Sequence, residues 1–145
     1  WIVQLAAGRL PGVLQGALNV VDVRDVAESV VSALERGRPG RRYVLGGHNL
    51  EIAEFIQMMA RECGVAAPER RLPAGLTRRM TRLAEQTRRA IGWTGPSPLI
   101  GFDILYYARP LISQRAEAEL DHQPRPIGST IRETVGWLRE YGYFG

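Results

Sequence analysis

Few side chains in this 145-residue chain combine a reactive type with a setting that suits chemistry. His48 follows Gly46–Gly47 where an apolar run ends, the edge at which open α/β sheets take their ligands, so it is a candidate to line a cleft. An exposed loop histidine is the plainer reading. Arg9 and Arg24 can meet a phosphate or lie as solvated surface arginines. Asp25 fits the first turn of a helix, where a carboxylate suits the free N–H groups, better than it fits a catalytic base. Cys63, the single cysteine, excludes an internal disulfide and fits a reducing cytoplasm. It lies on the apolar face of a predicted helix, as a buried, inert thiol does. One Cys and two separated His make no metal set, and His122, in a Pro-rich turn, is given no role.

A missing residue type says more. All 19 basic residues are Arg and none is Lys. Within this chain that excludes a Schiff base, a phosphate-loop lysine and a tyrosine–lysine dehydrogenase pair. It also discounts the net charge of +4, because wholesale Arg for Lys looks like composition bias rather than a sign of an anionic partner. Gly8, Gly12, Gly16, Gly46 and Gly47 do not fall at GxGxxG spacing between a strand and a helix. No catalytic, cofactor-binding or metal-binding residue is assigned.

The elements that would position these side chains read as mixed α/β. One domain is the prior for this length, and 45% hydrophobic residues can form a core. There is no apolar run of about 18 residues to span a membrane, and no signal-peptide core. The chain opens on Trp1 rather than Met, which suggests a preceding segment. A helix ending at Gly8 leads to a strand at 18–23, "LNVVDV". From Asp25 a helix is expected with Val26, Val30 and Ala33 on its buried stripe, Ala27, Val31 and Leu34 beside them, and Gly37 at its end. "RYVLGG", 42–47, is the second strand, parallel to the first through a right-handed crossover. Ile52, Phe55, Ile56, Met59, Ala60 and Cys63 mark the strongest helix, closed by Gly64. Then come a short strand in "ERRLP", a basic helix with Leu76, Met80, Leu83, Thr87 and Ile91 in a narrow stripe, a Gly/Pro-rich loop, and a short helix around "FDILYYAR". A helix capped by Ser113 and a last helix opened by Thr130 and Glu133, carrying Ile127, Ile131, Val135 and Leu138 inward, complete the chain.

Two parallel strands do not make a stable sheet alone. The fold class is therefore α/β: the trailing strands of a Rossmann-type parallel sheet, residues 1–65, with a smaller, mainly helical lobe, 66–145. The exposed sheet edge predicts self-association or a partner. The arginines of the basic helix allow a nucleic-acid or anionic-membrane reading. Without interleaved aromatics, and with Glu85 among them, they read as a solvated face.

The run Gly8, Arg9, Pro11, Asn19, Val21, Val23, Asp25, Val26, Ala27, Arg42, Tyr43, Leu45, Gly46, Gly47 and Asn49 resembles the second half of extended short-chain dehydrogenase/reductases. The nearest branch is that of hopanoid-associated sugar epimerases and dihydroflavonol-reductase-like proteins. The likeness continues through "ERRLP" and "SQRAEAELDHQPRP" to "IRETVGWLREYGYF". It implies NAD(P)-dependent chemistry on a hydroxyl or ketone of a small, sugar-like substrate, as epimerase, dehydratase or reductase. It also implies that the glycine-rich loop and Tyr-x-x-x-Lys lie upstream, in a missing N-terminal half, so this chain is expected to be inert and to bind neither NAD nor NADP alone. The 12–18 loop, which includes Leu18, would face substrate, with Asn19 beginning the strand behind it; Asn19 would bond a hydroxyl or brace the turn. Tyr106, Tyr107 and Arg109 resemble the lobe segment that closes over substrate, with one tyrosine, taken as Tyr107, in the cleft. The family's Glu-Leu-Gly-Tyr-x-Pro is Glu119, Leu120, Asp121, His122, Gln123 and Pro124 here, which puts Asp at a position suited to a left-handed helix end. The alternative is a non-catalytic, degenerate domain that binds a small molecule, a protein partner or an anionic surface.

Overall fold

The computed structural model describes residues 2–94 and 108–144. Helix α1 (Ile2–Ala6) closes through Gly8, whose φ of +65° suits a residue without a Cβ. Strands β1 (Val13–Leu14) and β2 (Ala17–Val20) precede helix α2 (Val23–Arg36). Strand β3 (His48–Glu51) runs directly into helix α3 (Ile52–Cys63). Strand β4 (Arg71–Leu72), helix α4 (Ala74–Ala90), helix α5 (Gln114–Leu120) and helix α6 (Ile127–Glu140) follow. The architecture is mixed α/β, as expected. No described helix is long and apolar enough to cross a membrane.

Helix α3 is the centre. Ile52, Ile56, Met59, Ala60 and Cys63 are buried at the spacing read from the sequence, and Gly64 ends the helix at φ +73°. Helix α6 lays Ile127, Ile131 and Val135 against it, and Leu5 and Val13 complete the cluster. The core thus draws on residues from both sides of position 65. The "ERRLP" strand forms, pairing in parallel with β1 at Val13–Arg71 and Leu14–Leu72.

The pairing of the two early segments is corrected. β2 lies antiparallel to β3, Ala17 opposite Glu51 and Val20 opposite His48, whereas a parallel pair of 18–23 with 42–47 was expected. The first strand ends early because Asp22 caps α2, accepting the Arg24 N–H at 2.9 Å. Residues 41–47 join no ladder among the described residues, so one further segment intervenes before pairing, and the direction reverses. At Gly47 the backbone runs so close to Val20 that a Cβ would collide with its carbonyl.

Helix α2 is also turned the other way. Asp25 and Ser29 face inward, while Val30, Val31 and Leu34 face out, Leu34 with 85% of its surface exposed. The inward face meets polar groups around α5: the Ser32 hydroxyl donates to the Leu120 carbonyl at 2.7 Å. Two expected caps do other work. The Ser113 hydroxyl makes no cap bond and accepts the Gly46 N–H at 3.0 Å. Helix α6 starts at Ile127 behind Pro126, so Thr130 lies within it and donates to Asp22 Oδ2 at 2.7 Å. Asp121 takes the left-handed helix end, φ 58°, as expected.

Candidate functional site

The turn between β1 and β2 lines a cavity of about 430 Å³, within the size range of small-molecule sites. It is lined by Val13, Leu14, Gln15, Gly16 and Ala17 together with Glu51, Ala53, Arg71 and Ala108. The main chain fixes this shape. The Val13 N–H donates to the Arg70 carbonyl at 2.8 Å, and the Ile52 N–H to the Gly16 carbonyl at 3.1 Å. Gly12 is required because a Cβ there would lie 2.6 Å from the Arg70 carbonyl oxygen. Glu51 and Arg71 are exposed, and neither has an ion-pair partner among the described residues. One carboxylate, one guanidinium and the Gln15 amide around a small cavity suit a ligand bearing hydroxyl or carbonyl groups. The described residues hold no group of three His, Cys, Asp or Glu that could bind a metal.

The residues singled out from the sequence lie elsewhere. The Asn19 amide braces the turn: it donates to the Gly47 carbonyl at 3.2 Å and to Asn49 Oδ1 at 2.9 Å, and accepts the Gly47 N–H at 2.8 Å. Leu18 stands opposite Leu50 and packs against the core. Arg9 is exposed in the loop after α1. His48 opens β3, and its Nε2 donates to the Arg125 carbonyl at 2.9 Å. Tyr106 and Tyr107, with the helix read around them, lie outside the described residues; Arg109 is exposed. Cys63 is buried, and burial raises its thiol pKa, in keeping with an inert thiol.

Arg24 is not free for a phosphate. Its Nε and Nη2 grip Asp22 at 2.9 and 2.7 Å, and Nη1 meets Glu133 at 2.7 Å. The Arg24 hydrogen bonds, with help from Thr130, hold the Asp22 carboxyl far below the usual carboxylate range. Asp25 accepts the Arg125 N–H at 2.8 Å and pairs with its guanidinium at 2.5 Å. These acids clamp the start of α2 to α6 and to the 121–126 segment.

Sequence reasoning missed His122. It is 1% exposed, with Nδ1 at 2.6 Å from the Ser29 hydroxyl and Nε2 donating to the Gly46 carbonyl at 2.6 Å. Gly46 therefore hangs between His122 and Ser113, and Gly47 hangs on Asn19, so side chains replace a ladder along this stretch. The Gly–Gly pair signalled a close approach, but partners 28 and more residues away left no local sign.

No family model matches the chain. It is 25% identical over 98% of its length to a Synechocystis sp. protein named as a dihydroflavonol 4-reductase, covering 43% of that protein. It is also 25% identical over 97% of its length to sterol demethylase protein B of Methylococcus capsulatus, covering 44% of it. The crystal structure of a nucleoside-diphosphate-sugar epimerase from Pseudomonas aeruginosa superposes on 99% of the chain with a TM-score of 0.78, at 27% identity and 42% coverage of the epimerase. The chain is similar to epimerases and reductases. That agrees with the resemblance drawn from its motifs. It spans less than half the length of each of these three relatives.

Proposed function

We propose that the chain is the C-terminal, substrate-side portion of an NAD(P)-dependent sugar epimerase, dehydratase or reductase, acting in the cytoplasm on a hydroxyl or ketone of a small polar substrate. In this reading the cavity lined by Gln15, Glu51 and Arg71 contributes part of the substrate wall. The dinucleotide belongs to the other half, because the residues here do not fit it. Helix α2 opens on the Asp22 carboxylate, which already accepts the Arg24 N–H where a pyrophosphate would need it bare, and Glu51 stands at the start of α3. The chain also lacks Lys and a GxGxxG turn.

The observation that carries the reading is the outward apolar face of α2, taken with the match to less than half of each of these three relatives. A helix with Val23, Val30, Val31 and Leu34 in water has the pattern of one made to lie on a sheet. Residues 41–47 join no ladder among the described residues, and Val44 is exposed. A nucleotide-binding half that brought further parallel strands would cover both.

Calorimetric titration with NADH tests this. The chain alone should show no saturable binding, and micromolar affinity would overturn the division of labour. Supplying the nucleotide-binding half of the Pseudomonas epimerase in trans should slow amide exchange along α2; unchanged exchange on a formed complex would contradict the assignment of that face.

A further inference from the structure

Helix α4 buries polar side chains and exposes apolar ones. Glu85 is buried and bridges to Arg88 and Arg89 at 2.7 and 2.9 Å, with Thr81 half-buried on the same side. Leu76, Met80 and Leu83, at i, i+4 and i+7, form an outward stripe with exposures of 53, 62 and 64%. Arg79 and Arg82 are exposed beside that stripe, share a shallow groove with it, and have no acidic partner among the described residues. Beyond the helix end, Ile91 and Trp93 are exposed too, and the Trp93 carbonyl is tied back to Arg88 at 2.8 Å.

We propose that α4 is a membrane-surface helix, docking the protein on an anionic bilayer through Leu76, Met80 and Leu83 with Arg79 and Arg82 on the lipid phosphates. A helix with an aliphatic stripe and a basic flank lies in the interfacial plane, its stripe in the acyl boundary and its guanidinium groups reaching back to the headgroups. Trp93 has the amphipathic ring that settles at that depth. Charge decides among occupants. The one acid of α4, Glu85, faces inward, so the outward face carries positive charge without internal compensation. A second copy on this face would set Arg79 and Arg82 against their own counterparts, with no outward carboxylate of α4 between them. Nucleic acid would satisfy the arginines and leave the aliphatic centre uncovered, with no aromatic in the helix for a base to stack on. This inference stands apart from the proposed activity, since it uses neither the cavity nor α2.

Co-sedimentation of the protein with vesicles decides it. Binding is expected to vesicles of equal parts phosphatidylglycerol and phosphatidylcholine, and not to phosphatidylcholine alone. Replacing both arginines (R79Q with R82Q) should weaken it about thirtyfold, and R79K with R82K should retain it. Met80→Asn with Leu83→Asn should weaken it about tenfold or more while circular dichroism stays unchanged, because both side chains are already in water. Equal binding to the two vesicle types, or none to either, would overturn the proposal. So would anionic binding that ignores the Met80 and Leu83 changes, or that a DNA duplex competes away at equal phosphate.

Discussion

Helix α3 turns Ile52, Ile56, Met59 and Ala60 into the core, while α2 carries a comparable apolar stripe and turns it to solvent. The difference lies in what each helix meets. α3 is flanked by α1, β1 and α6, whose facing side chains are Leu5, Val13, Ile127, Ile131 and Val135. α2 meets the 120–125 segment, which presents the Leu120 carbonyl, the His122 ring and the Arg125 main chain and guanidinium. Polar groups leaving water need partners, and Asp25, Ser29 and Ser32 supply them. Periodicity identifies an apolar face; the neighbours decide whether it is the inner one.

Substitutions on the two stripes test that contrast most strongly. Ile56→Ala should cost about 2–5 kcal/mol in urea unfolding, and Leu34→Ala should stay within about 0.5 kcal/mol. Equal costs would break the comparison. Val31→Ser with Leu34→Ser should leave the unfolding midpoint in place and reduce self-association in sedimentation velocity, since those side chains belong to an exposed apolar face.

The polar side of α2 can be probed next. His122→Ala removes a partner from the Gly46 carbonyl and from Ser29 in a buried setting, a loss of about 2–3 kcal/mol in thermal unfolding. It should also speed exchange of the Gly46 amide. A neutral His122→Ala would mean that the junction is held by Asn19 and Ser113 without it.

The smallest effect is pH dependence, and it should come from the α2 clamp rather than the α3 core. Folding depresses the Asp22 carboxyl through Arg24, and that of Glu119 through the Tyr43 hydroxyl. For a depressed carboxyl the stabilisation is fully present above the unfolded pKa, roughly 4, and is lost as pH falls below it. Stability should therefore decline from about pH 4 downward, with a shallower decline in Asp22→Asn. An identical acid profile in that variant would remove Asp22 from the account.

Much of the fold was legible beforehand. The α3 stripe and the Gly64 stop depend on residues within a few positions of one another, and the short strand in "ERRLP" and the left-handed Asp121, the latter an expectation from the family resemblance, stand where they were expected. The clamp was not legible, because Asp25 and Arg125 lie 100 residues apart and Asp22 and Thr130 lie 108 apart. Thr130 and Glu133 had the spacing of a capping box, yet Pro126 starts the helix one turn sooner and both side chains turn to Asp22 and Arg24. The cavity escaped for a similar reason. Glu51 and Arg71 are ordinary surface types, brought together only when β1 pairs with β4 and β3 pairs with β2.

The amino-acid order alone determined where α2 and α3 run, that the class is α/β and that this chain holds no lysine chemistry, each from local spacing or composition, while its likeness to epimerases and reductases rested on a family pattern spread along the chain. Tertiary structure decided the antiparallel direction of β2 and β3, the outward turn of α2 and α4, and the partners of Asn19, His122 and Asp25. Those outcomes depend on which polar groups from distant segments must leave water together, and no short window of sequence contains both members of such a pair.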